Sequence, residues 1–203
     1  MAYAEMRLHM KVKKGNFGYI QSKKRHCIYM ALAMVLIGVA VFCLGLFLNK
    51  MSNRNIFTVI AVLFSLPFAK FLVGLIVVFP YQSVERERFE YISQGVPVGM
   101  ELYTDLVITS SDKVMHLDFI LVGEKQVLGL VGKEGQDIGY IRSYLTEGVH
   151  NWASDYKVKI VDSEKIFQQE MSKIAARDAS QDMSDVEQEK EDNVKSYLKS
   201  LIV

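Results

Sequence analysis

No aspartate or glutamate occurs between Met6 and Val84, although this stretch carries ten lysines and arginines. That absence excludes carboxylate catalysis and carboxylate-held metal from the first two-fifths of the chain. Cysteine is scarce: Cys27 and Cys43 are the only two. On one helix they would lie about 24 Å apart, too far to pair, and each reads as a small apolar residue in or beside lipid. The four histidines, at positions 9, 26, 116 and 150, show no zinc-like spacing. Only three prolines, Pro67, Pro80 and Pro97, interrupt the chain, so long helices are free to form. Glycines 129, 132, 135 and 139 lack the Lys-Ser or Lys-Thr of a phosphate loop, and no nucleophile elbow is present. Gly132 and Gly135 read as turn residues.

What the chain has in quantity is apolar sequence. Cys27 to Leu48 holds 22 residues without a charge, which gives about 33 Å of helix for a hydrocarbon core of about 30 Å. Ile56 to Tyr81 holds 26, broken before its last two residues only by Pro67 and Lys70, and is also long enough to cross. A seven-residue link makes the pair a transmembrane hairpin. Ala31, Gly38 and Gly45 recur every seven residues in the first span, and Ala61, Ser65 and Ala69 every four in the second. Each set marks a face on which helices pack closely, with the partner span or with a second copy. Lys70 is the one charge inside either span, and an ionisable residue at that depth is a functional candidate; the competing reading is a stem that snorkels toward a headgroup.

Charge divides the chain. Residues 1–84 carry a net +9 and residues 85–203 a net −8. Seven basic residues precede the first span and two lie in the link, so the positive-inside bias places both the N-terminus and the C-terminal domain in the cytoplasm of a multi-pass plasma-membrane protein. The basic half suits anionic lipid, and the acidic half disfavours nucleic acid.

After the spans, the pattern reads as a short helix near Val84 to Ile92, strands over Glu101 to Ser110, Lys113 to Val122 and Gln126 to Val131, and a helix over Ile138 to Ser154 that includes Trp152 in its core face. A fourth strand, Lys157 to Val161, and a helix from Glu164 complete an αβββαβα order. Along the second strand, Met115, Leu117, Phe119 and Leu121 alternate against His116, Asp118 and Ile120. The resulting division is a basic leader (1–26), two spans (27–48 and 56–81) joined by an external link (49–55), a cytosolic α/β domain (82–178), and a polar linker with a C-terminal amphipathic helix (179–203). Val194, Leu198 and Leu201 form a stripe on that helix, free to dock on the domain or on a partner.

This order of elements, with Asp118 on the second strand and Lys133 just past the third, resembles the restriction-endonuclease-like fold, and most closely the nuclease-related (NERD-type) domains. In those families an Asp strand precedes a strand carrying Glu-x-Lys. The resemblance implies two carboxylates holding Mg²⁺ while the lysine positions the nucleophile. Register pairs Asp118 with Val131 and His116 with Lys133, and the second carboxylate falls on Val131. With one acid replaced, the resemblance implies a degenerate site, no metal and no cofactor. The reading that follows is a membrane-anchored, non-catalytic binding or scaffold module that meets another protein or a second copy within a membrane complex. Two alternatives stand beside it: a divalent-metal nuclease of atypical composition, and an accessory subunit of a channel or transporter complex.

Overall fold

The computed structural model describes residues 12–48, 56–132, 134–176 and 185–203. They form two compact units: Gln21–Pro80, and residues 12–20 together with Tyr81–Val203. Two helices at the start of the chain and a small α/β domain after them are what the sequence leads one to expect. The leader is divided differently. Residues 12–20 pack with the α/β domain, although their polar, glycine-bearing sequence gives no strand or helix pattern that would announce it.

The first unit is built from α1 (Tyr19–Leu48), α2 (Ile56–Leu63) and α3 (Ser65–Val78). Both α1 and the run Ile56–Val78 are long and apolar enough to cross a membrane. Helix α1 begins before the apolar run, because nothing between Gly18, at φ +80°, and Leu48 interrupts it. The break between α2 and α3 has a local cause. Pro67 has no N–H to give the Leu63 carbonyl, and its ring presses against that same carbonyl, so the chain tightens through Phe64, whose N–H donates to the Ala61 carbonyl at 3.2 Å.

In the second unit, α4 (Arg86–Gln94) leads into β1 (Glu101–Thr109), β2 (Val114–Gly123) and β3 (Gln126–Val131). Helix α5 (Ile138–His150) crosses to β4 (Lys157–Val161), and α6 (Glu164–Ala175) and α7 (Asp185–Leu201) follow. The sheet order is β1-β2-β3-β4: an antiparallel meander with β4 added parallel to β3. A parallel neighbour requires a crossover, which α5 supplies. The β2–β3 hairpin closes on Glu124 and Lys125, both at positive φ, the two-residue turn whose twist matches that of the strands.

Helices cover both faces. On one, Ile141, Leu145 and Val149 of α5 and Val194 and Leu198 of α7 pack with Leu106, Ile108, Leu117, Ile120, Val122 and Val131. On the other, Ile92 of α4 and Phe167, Met171 and Ile174 of α6 pack with Phe119, Leu121, Leu128 and Leu130. Burial on both sides explains the near-continuous apolar strands.

Of the two places left open for the C-terminal stripe the structure takes the first, and two other expectations change. The Val194, Leu198 and Leu201 stripe is spent on the domain's own core: the first two are fully buried and Leu201 is half-buried against them. Glu191 of the same helix is buried with Lys195 at 2.7 Å, and Lys199 reaches Glu101 of β1 at 3.2 Å. Trp152 lies beyond the end of α5 and is 52% exposed, not core. Finally, the alternation along β2 reverses halfway. Met115 and Leu117 face α5 and α7, whereas Phe119 and Leu121 face α4 and α6. The register slips by one between Leu117, opposite Val131, and Phe119, opposite Leu130, leaving Asp118 as the extra residue of a β-bulge.

Candidate functional site

The bulge decides what Asp118 can touch. By simple register it would oppose Val131; instead Val131 pairs with Leu117 and turns into the core beneath α5 and α7. Asp118 turns the other way, where the Arg88 guanidinium on α4 makes an ion pair with its carboxylate. The same guanidinium donates from Nε to Glu164, at the start of α6, at 2.5 Å. It also lies 5.4 Å from the centre of the Phe119 ring, within cation–π range. Burial pulls the Arg88 pKa down, but its hydrogen bonds and charge interactions with Glu164 and Asp118 outweigh that and hold it above its usual value. One cation thus joins two acids from two other elements, tying α4 and α6 to β2.

His116 completes the neighbourhood. Its ring stacks on Tyr81 at 4.8 Å between centroids, and its Nε2 is 3.9 Å from Asp118 Oδ1. The Gln136 side chain acts as an extra rung of ladder, accepting from the His116 N–H at 2.7 Å and donating to its carbonyl at 2.9 Å. Gly132 is required by the side chains above it. A Cβ there would stand 1.9 Å from Asp118 Oδ1 and 2.6 Å from the His116 ring, so Gly132 is more than the turn residue that its spacing implies. Gly135, at φ +79°, does serve a turn. Lys133 lies outside the described residues, and with it the expected pairing to His116.

A second buried carboxylate sits directly across the ladder. Asp105 of β1 stands opposite the bulge, at φ +57°, and is fully buried. Its carboxylate accepts from the Val84 N–H at 2.9 Å and the Ile20 N–H at 3.5 Å, with Ser83 and Gly18 also donating to it. Burial drives its pKa up against the opposing pull of these four bonds. Ile20 and Val84 flank the hairpin in sequence, so one side chain pins both of its flanks to β1. Further bonds hold residues 12–20: Thr104 N–H to the Gly15 carbonyl at 2.9 Å, and the Tyr19 hydroxyl to the Val203 carbonyl at 2.7 Å. Phe17 stacks on Phe89 of α4 at 4.8 Å. Sequence reasoning missed Asp105 and Arg88, since one is an acid within a strand run and the other one charge among many in α4. The available signal was Asp105 itself, the one charge between Leu102 and Ser111 in a strand run.

Within the hairpin, Gly38 does lie at the seam, 3.5 Å from Phe64 Cβ and 3.6 Å from the Ala61 carbonyl as measured from a Cβ built on it. Gly45 is buried, and Ala31 and Ala61 are half-buried. Ser65 and Ala69 are exposed. The second run instead meets α1 through aromatic and glycine positions, with Phe71 edge-on to His26 at 6.1 Å and Gly74 3.5 Å from Cys27 Sγ. Lys70 is exposed on α3, and no ion pair among the described residues includes it.

Among the described residues no three His, Cys, Asp or Glu side chains gather into a set fit for a metal ion. No family model, no curated protein and no solved structure matches the chain.

Proposed function

We propose that this chain is a non-catalytic binding module anchored in the plasma membrane by its helical hairpin, with the α/β domain on the cytoplasmic side as one component of a membrane complex. The observation that carries the non-catalytic part is the occupation of Asp118 by Arg88. A hard divalent cation needs several oxygen ligands with open access, and here the cationic place beside the carboxylate is already filled. Val131, where the resembled nuclease motif needs its second acid, belongs to the opposite face of the sheet. The αβββαβα order and mixed sheet support kinship with restriction-endonuclease-like domains in degenerate form.

The topology is supported by residues 12–20 and Tyr81–Val203 folding as one unit. Segments that share a core share a compartment, so the chain between them leaves and returns to the same side. Lys13, Lys14, Lys23, Lys24 and Arg25, ahead of the first apolar run, favour the cytoplasm as that side.

The test is recovery of the full chain from membranes in mild detergent, followed by chemical crosslinking and mass determination. A stoichiometric partner or a homo-oligomer is expected; a lone monomer overturns the proposal. Cleavage of DNA or RNA with Mg²⁺ or Mn²⁺ that Asp118→Ala abolishes would equally overturn it in favour of the nuclease.

A further inference from the structure

Lys70 stands nine residues before Phe79 along the second run, about 13 Å in axial rise. The level of Phe79 is marked by Lys24, whose ammonium donates to the Phe79 carbonyl at 2.8 Å and lies 5.6 Å from the centre of its ring. Toward the other end, Ile56 is fourteen residues away, about 21 Å. A helical side chain leans toward the N-terminus of its helix, so the Lys70 stem points away from the nearer boundary. Four methylenes do not span either distance, and snorkelling leaves the ammonium within the hydrocarbon. Leu66 and Val73, about one turn to either side, are exposed at 67% and 59%, so the charge is set in an apolar surface.

No counter-charge is available from this chain: residues 6–84 contain no acid at all. A second copy would bring the same acid-free spans, so self-association supplies no carboxylate either. The seam with α1 uses Phe64, Phe71 and Gly74, and successive residues turn by about 100°, which places Lys70 off that seam. Leu66 and Val73, both exposed, lie within about 60° of it around the helix, so Lys70 stands on a face that α1 leaves open to another helix.

We propose that the outward face of α3 receives a transmembrane helix of a different protein, one carrying an aspartate or glutamate near mid-membrane that pairs with Lys70. This rests on the membrane-anchor reading above and names the chemistry of the partner. A buried ammonium and carboxylate neutralise one another in a medium where each alone is costly, and that fixes depth and partner choice together.

The probe is a leucine-based transmembrane peptide of about 20 residues with one central aspartate, compared with its all-leucine counterpart. Each is mixed with the full chain in phosphatidylcholine liposomes, and association is read by energy transfer to a fluorophore at the C-terminus of the chain. The aspartate peptide is expected to associate about tenfold more tightly than the leucine peptide, and Lys70→Leu to erase the difference. Lys70→Glu should move the preference to a peptide with a central lysine. Equal association of both peptides with the unsubstituted chain, or a preference that survives Lys70→Leu, overturns the proposal. Release of the chain from liposomes by alkaline carbonate would instead bring down the anchor itself, and the pairing with it.

Discussion

Replacing Asp105 with alanine should loosen both flanks of the hairpin at once. Among the four donors to the carboxylate are two buried N–H groups, Val84 at 2.9 Å and Ile20 at 3.5 Å, and in the alanine variant neither has an acceptor at that position. Each stranded donor costs about 1–3 kcal/mol; the longer Ile20 bond belongs at the low end, so about 3 kcal/mol is expected in all. Against a typical domain stability of about 5–15 kcal/mol this is a large local loss. Hydrogen exchange of the full chain in detergent reads it directly. If about 2 kcal/mol of the loss falls on Val84, its amide should exchange roughly thirtyfold faster. Asp105→Asn keeps one acceptor oxygen and should fall between the two. The pH dependence has a definite sign. Burial raises the folded-state pKa of Asp105 above its unfolded value, so its contribution to stability is complete below the unfolded carboxylate range. That contribution is lost as pH rises through the folded value. Asparagine does not titrate, so Asp105→Asn should gain on the unsubstituted chain over that window as pH rises. Unchanged exchange at Ile20 and Val84 in Asp105→Ala would refute the pin.

Arg88→Met should destabilise the α/β domain by about 2–4 kcal/mol, because it strands Asp118, whose side chain is only 7% exposed. Arg88→Met with Asp118→Leu should cost less than the sum of the two singles, as a double-mutant cycle in urea would reveal. Gly132→Ala should cost about 2 kcal/mol or more through the 1.9 Å approach to Asp118, and the added cost should shrink in an Asp118→Ala background. Gly148→Ala would place a methyl 1.7 Å from the Tyr197 hydroxyl, so α7 should become sensitive to protease, with Tyr197→Ala restoring resistance. Millimolar Mg²⁺ or Mn²⁺ should leave the melting temperature unchanged, since only a ligand that binds the folded state raises it.

The element order was legible because each piece carries its own signal: uncharged length for the spans, alternation and short turns for the meander, helical spacing for α5 and α6. The bulge was not legible. Residues 119 to 122 are apolar on both faces of β2, so past Asp118 no polar side marks the reversal of the alternation, and Asp118 is assigned to the wrong partner by counting from the turn. The Val194 stripe is plain, but periodicity identifies a face that must be covered and says nothing of what covers it. Residues 12–20 carry little periodicity. Their place is set by backbone bonds to Thr104 and Asp105 and by Tyr19 and Phe17, which are contacts of long sequence separation. Arg88 was visible as a charge and invisible as a clamp, since its partners arrive from β2 and α6.

The closing bonds of the sheet edge join residues made far apart in time. Tyr19 reaches Val203 across 184 positions, and Ile202 bridges Ile108 while Val203 donates to the Val107 carbonyl. At roughly 5–20 residues per second, the segment before the first span waits about ten to forty seconds for the strand-like end that holds it. By then both apolar helices have emerged, and on the membrane-anchor proposal they have met the bilayer. On that proposal insertion precedes completion of the fold, and a nascent chain stalled before residue 202 would carry both helices and an unfinished sheet edge, a state that protease digestion of ribosome-bound chains would detect.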